Sequence, residues 1–250
     1  MPAPTFRANS SYVSGTGSIT LTFPTGYQVN DILVLALEGA NQSNAQAHTN
    51  LTNNGWARVA NSNVTVGTLG GAQATKVDVW WQRATSQSQT AVSITDFGDH
   101  TMAVMSAFYN VPTSGSPWDT GTAAGVNVVV STASAQVTFR NVTTTVANTL
   151  VLNYVTHARD SAAAIINAAG QLFINSPSGD ETNLTKQHDL GTTSGGGGAI
   201  ALLTFRKPSA GQTGNLRVNV AAANVMAAWT GALIGTADAV IRPRSQVVVI

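Results

Sequence analysis

Cysteine is absent from this chain of 250 residues, which excludes disulfides and thiolate metal sites. Charge is almost as scarce: 9% of residues are Asp, Glu, Lys or Arg, against about 25% in an ordinary soluble domain. Twelve basic and eleven acidic side chains leave a formal net charge of +1. The main basic clusters are Arg206-Lys207 and the pair Arg242 and Arg244, well short of the roughly six to ten phosphate contacts that make nucleic-acid binding strong. No nucleic-acid partner is therefore expected. No apolar run approaches the roughly 18 residues of a membrane helix, and Met1-Pro2-Ala3-Pro4 has neither the basic start nor the apolar core of a secretory signal. The expectation is synthesis in a cytoplasm and no membrane partner.

What is present is β-branched residues, alanine and small polar residues, a composition that folds rather than staying disordered. Gly26 to Gly39 opens on a turn signal, continues as a nearly unbroken apolar run and closes on glycine, the pattern of a central strand. Met102 to Tyr109, Thr149 to Val155 and Ala199 to Phe205 repeat it. Four such strands can form the two inner faces of a sandwich. Ser18 to Phe23 alternates cleanly, and Lys76 to Arg83 puts Val77, Val79 and Trp81 on one face with Trp80 on the other. Val126 to Val130 and Ala135 to Phe139 read as a hairpin or as two edge strands. Ala162 to Ala169 is the one place where a short helix competes. The fold expected is all-β, an antiparallel sandwich of jelly-roll-like type over residues 1–207. Residues 208–250 are read as an appendage docking on the same sandwich or on a neighbouring subunit, with two further strands of the same domain as the alternative.

Glutamate occurs only at Glu38 and Glu181. A pair of carboxylates for glycoside hydrolysis, which must face each other across about 5 to 9 Å, would draw on Asp96 with Asp99 or Asp180 with Glu181. Both sit in Gly-containing turns, where Asp is common for backbone reasons. His48, His100, His157 and His188 lie in or beside polar segments without H-E-x-x-H or H-x-H spacing, and they read as isolated surface histidines. No serine stands in a G-x-S-x-G elbow. No catalytic set, metal or cofactor is expected, with a calcium ion held by loop aspartates and carbonyls as the alternative, and the chain is read as a non-enzyme.

The aromatics carry more information. Trp56, Trp81, Phe108, Phe139 and Phe205 fall inside strand patterns and read as core. Tyr109 and Trp118 are candidate contacts of a binding loop, Trp118 having the alternative of a plug over one end of the core. Trp229 and the terminal run Val247, Val248, Val249 and Ile250 are candidate assembly contacts, because an apolar strand left bare invites association.

The order of features resembles a β-sandwich domain found widely in tailed-phage virion and prophage proteins. It runs from strand Ser18 to Phe23 through Pro24-x-Gly26, Asp31-Ile32-Leu33-Val34 and Gly55-Trp56 to Val79-Trp80-Trp81-Gln82-Arg83-Ala84. Met102 to Tyr109 follows, then Asn110-Val111, Asp119, Thr145 to Leu152 and Gly195 to Phe205. The likeness covers residues 16–207 and departs from the pattern at Asn30 and Asn110, where that family favours glycine. It implies a building or attachment module of a virion, a tail or neck accessory or a capsid decoration, whose partners are its own copies and other virion proteins. It carries over no catalytic residues. The alternative is a module that binds a surface glycan or host receptor through Tyr109 and Trp118.

Overall fold

The computed structural model describes residues 2–40, 48–67, 74–96, 100–119, 125–158, 165–167, 172–193 and 197–236. Among these described residues, seventeen strands and one short helix follow in order. The first half of the chain holds β1 (Thr5–Asn9), β2 (Val13–Gly15), β3 (Ile19–Thr22), β4 (Ile32–Ala40), α1 (Thr49–Asn53), β5 (Ala57–Arg58), β6 (Val64–Val66), β7 (Thr75–Arg83), β8 (Ala91–Ile94) and β9 (His100–Tyr109). The second half holds β10 (Val126–Phe139), β11 (Thr143–Thr144), β12 (Thr149–His157), β13 (Leu172–Ile174), β14 (Thr182–Thr192), β15 (Gly198–Lys207), β16 (Gly211–Gln212) and β17 (Asn215–Leu233).

The architecture is an all-β sandwich of antiparallel sheets. One sheet runs β1-β9-β4-β7-β5, with β2 also on β9 and β6 also on β7; the other runs β10-β17-β12-β15-β14, with β13 also on β17. Each sheet is thus built from one half of the chain. In the first, Val34 of β4 pairs with Trp81 on one side and Ser106 on the other. In the second, Tyr154 of β12 lies between Trp229 and Leu202.

The unbroken apolar runs have a physical reason. An antiparallel sheet with one wet face alternates apolar and polar residues, whereas a sheet covered on both faces does not. All nine residues of β4, and all nine of β12, are buried. The inner faces meet in a core of Val34, Val79 and Val104 against Leu152, Tyr154 and Leu202. The outer face of the first sheet, with Leu33, Leu35 and Leu37, is capped by the two-stranded β3–β8 sheet and by Leu51 of α1. The outer face of the second is covered because β10 and β17 are long. Their paired stretch around Val137, Phe139, Leu216 and Val218 packs over Val151, Leu203 and Phe205. Each fully buried Leu, Ile or Val in these layers contributes about 1.5–3 kcal/mol.

Two expectations are corrected. Residues 215–233 are no appendage but, as in the alternative reading, further strand of the same domain: β17 is an interior strand between β10 and β12, the most enclosed position a sheet offers. The two stretches expected at 126–130 and 135–139 are one strand, β10, whose register against β17 shifts around Ser134. The helix candidate at 162–169 is described only at its middle, where Ile166 bridges Val220 of β17; its remaining residues, and the terminal run 246–250, lie outside the described residues. Asn30 and Asn110 both adopt left-handed backbone, at φ of 73° and 58°, which asparagine tolerates better than most side chains.

Candidate functional site

The aromatic residues singled out in the sequence do not form one exposed surface. Trp118 is 4% exposed and stands edge-on against Trp229, with ring centroids 5.6 Å apart. It is the plug of the two readings, tied into the sheet by its bridge to Leu233. Trp229 is fully buried and is not an assembly contact. Its strand is interior, and its ring occupies the space that side chains at Gly125 and Gly231 would need. Tyr109 is half-buried, at the end of β9, with the Arg7 guanidinium 4.6 Å from its ring centroid. Val247, Val248, Val249 and Ile250 lie outside the described residues.

The four histidines are buried, not on the surface, with exposures of 0–8%. His100 begins β9 and points between the sheets, its Nδ1 4.0 Å from Glu38 Oε2. The Thr75 hydroxyl lies 2.9 Å from Glu38 Oε1 and 3.2 Å from the Thr156 hydroxyl. Burial raises the Glu38 pKa well above the usual carboxylate range, against the smaller opposing effect of the Thr75 bond. Gly198 faces this carboxyl so closely that a Cβ there would sit 2.5 Å from Oε2. Glu38, Thr75, His100, Thr156 and Gly198 thus join both sheets at one end of the sandwich.

A second polar group lies on the outer face of the first sheet. Asp78 is fully buried, with Oδ2 3.0 Å from Arg58 Nη2. Burial raises its pKa to about 6, and the opposing pull of Arg58 and Lys76 does not cancel this. Arg58 also sits 4.6 Å from the Trp80 ring centroid, and His48 meets that ring edge-on. Burial, then the Lys76 and Arg58 charges, lower the His48 pKa to about 4.

The acidic pair Asp180 and Glu181 is used for structure. Asp180 accepts from Lys207, whose side chain is buried, and from the Ser209 backbone N–H and hydroxyl. Glu181 accepts from the Ser176 hydroxyl and from the Gly214 N–H. Burial alone would raise the Asp180 pKa, but its bonds to Lys207, Ser178 and Ser209 hold it below the usual range. Asp119 braces the crossover between the halves, accepting from the Thr145 N–H and hydroxyl. Of the other turn pair, Asp99 lies outside the described residues. Among the described residues no three His, Asp or Glu gather as metal ligands.

Among the described residues, two solvent-open cavities stand out. One, of about 270 Å³, is a depression lined by Phe23, Asn54, Trp56, Gln89 and Ser93. The other, of about 260 Å³, is a groove between β1 and β14, where Phe6 faces Asn183, Thr185, Gln187, Thr204 and Arg206. Sequence reasoning missed this groove because it missed β14. Thr182 to Thr192 is too polar to read as a strand, and its register against β15 shifts twice.

The fold defines an all-β sandwich of two doubly covered sheets. No family model, curated protein or solved structure matches the chain.

Proposed function

We propose that the protein is a structural component that acts by associating with copies of itself and with other proteins, in the manner of the tailed-phage virion modules whose motif order it resembles. The observation that carries this reading is the outer edge of the second sheet. β10 is fourteen residues long, pairs among the described residues with β17 on one side only, and contains no charged residue. Val129 on it is 49% exposed, and Val126, Val128 and Val130 are half-buried. Sheet edges are normally blunted by charge, brevity or irregularity. The other edges follow that rule. β1 carries Arg7, β5 and β6 are two and three residues long, and β14 carries Lys186 and two register shifts. Within β10, Val126–Val130 keeps an even register, the kind of edge that can take an added strand through main-chain hydrogen bonds.

The virion assignment draws its support from the motif order and from Asn30 and Asn110, which hold left-handed backbone at the positions where the resembled family favours glycine. The glycan-binding alternative built on Trp118 loses its principal residue to the core.

Light scattering across concentration tests the reading. The native protein is expected to form oligomers, and Val129→Lys, which places a charge on the open edge without touching the core, is expected to shift them to monomer. A native protein monomeric at every concentration, or oligomers indifferent to the lysine, would overturn it.

A further inference from the structure

We infer that the groove between β1 and β14 binds a single carboxylate-bearing sugar residue, a hexuronic acid, with Arg206 as the partner of its carboxylate. β1 and β14 are the edge strands of the two sheets. They are tied by a hydrogen bond from Asn9 Nδ2 to the Gln187 carbonyl, 2.9 Å long. Toward Phe6 the edges enclose the opening of about 260 Å³. That lies just below the ~300–1,000 Å³ of sites for drug-sized ligands, so it suits one sugar ring and not a chain.

Three features fix the ligand class. Arg206, half-buried on β15, makes no hydrogen bond or ion pair among the described residues. The acids that lead into β14 are committed elsewhere, Asp180 to Lys207 and Ser209, Glu181 to Ser176 and Gly214. The guanidinium fork is left for a planar anion, and a carboxylate matches it with two parallel bonds. A phosphate dianion would call for further cations, and the wall around Arg206 is neutral.

That wall consists of hydroxyls and amides, the groups that read a polyol. Thr185 and Asn183 are exposed on β14. The Gln187 Nε2 donates to the Thr204 hydroxyl at 2.7 Å, which orients both side chains at the floor. Phe6 closes the groove; its ring is braced edge-on by Phe108 at 5.9 Å and offers an apolar surface to the C–H side of a pyranose. One cation, several neutral donors and acceptors and one aromatic wall together describe an acidic monosaccharide.

The test is a titration of the isotopically labelled full chain, followed by backbone amide shifts, with sodium glucuronate, glucose and sodium acetate as separate probes. Glucuronate is expected to give saturable shifts confined to residues 5–6, 183–187 and 204–206, with a dissociation constant on the order of 1 mM. Glucose, and glucuronate on Arg206→Gln, are expected to bind about tenfold more weakly or worse, the loss of one charge-assisted pair. Thr185→Val, an exposed change that keeps a β-branched residue, is expected to weaken glucuronate several-fold and supplies the test if the arginine variant does not fold. Acetate binding as tightly as glucuronate would overturn the sugar assignment. Absence of saturable glucuronate shifts, or binding unchanged in Thr185→Val and Arg206→Gln, would overturn the site.

Discussion

His188 offers a quantitative check on how the two sheets close. It lies on β14, 8% exposed, with its ring 6.0 Å from that of Tyr154. Burial lowers its pKa from 6.5 to about 3, despite the smaller opposing pull of the Ile200 backbone. Folding therefore favours the neutral imidazole. Because the folded pKa lies below the unfolded one, the stability it allows is complete above about pH 6.5 and is lost as pH falls toward about 3. At pH 5 the unfolded imidazole is about 1.5 pH units below its pKa. At about 1.36 kcal/mol per unit this removes about 2 kcal/mol of stability relative to pH 8. His48, lowered to about 4, removes a similar amount. Asp78, raised to about 6, acts in the opposite direction: the folded state takes up its proton first, so it adds about 1 kcal/mol by pH 5. The assay is urea unfolding of the native protein and of His188→Leu at pH 8 and pH 5. Whatever the substitution costs at pH 8 cancels in the comparison. The pH-dependent loss should be about 2 kcal/mol smaller in the variant. Equal losses in the two proteins would refute the placement of a neutral histidine between the sheets.

Two further substitutions test the packing. Trp118→Ala should cost about 3–5 kcal/mol, the range for an aromatic deleted from a core, and a change in the denaturation midpoint too small for that would return Trp118 to the surface. Gly198→Ala should cost about 1–3 kcal/mol as an overpacked site, since the added carbon meets Glu38 Oε2. Combining it with Glu38→Ala should show a coupling energy between the two positions, and strict additivity in denaturant unfolding would mean that they do not touch.

The strands that face two apolar layers were legible in the sequence because nothing in them alternates. His100–Tyr109, Thr149–His157 and Gly198–Lys207 were each anticipated to within a few residues, Ile32–Ala40 as the apolar part of a stretch read from Gly26, and Val77, Val79 and Trp81 point where a two-residue period puts them. What was not legible depended on neighbours. Ala221–Ala223 and Ala227-Ala228 look like a change of texture, yet β17 runs through them, and Gly231 further along it leaves room for the Trp229 ring. The histidines sit in polar surroundings along the chain but under other strands in space, so local polarity pointed to the surface and tertiary packing decided otherwise. The groove combines Phe6 from the start of the chain with Arg206 from near its end, a juxtaposition that no local pattern encodes.

The division of the sheets between the two halves of the chain also bears on how the protein is made. Every strand of the first sheet lies before Asn110, so that sheet can pair completely while the ribosome is still adding the second half. During that interval Val34, Val79 and Val104 form a bare hydrocarbon strip with no layer above it. The wait ends only when β17, the last strand of the second sheet and an interior one, has emerged. Slower translation across residues 110–233 would prolong the period in which half-made chains can clump.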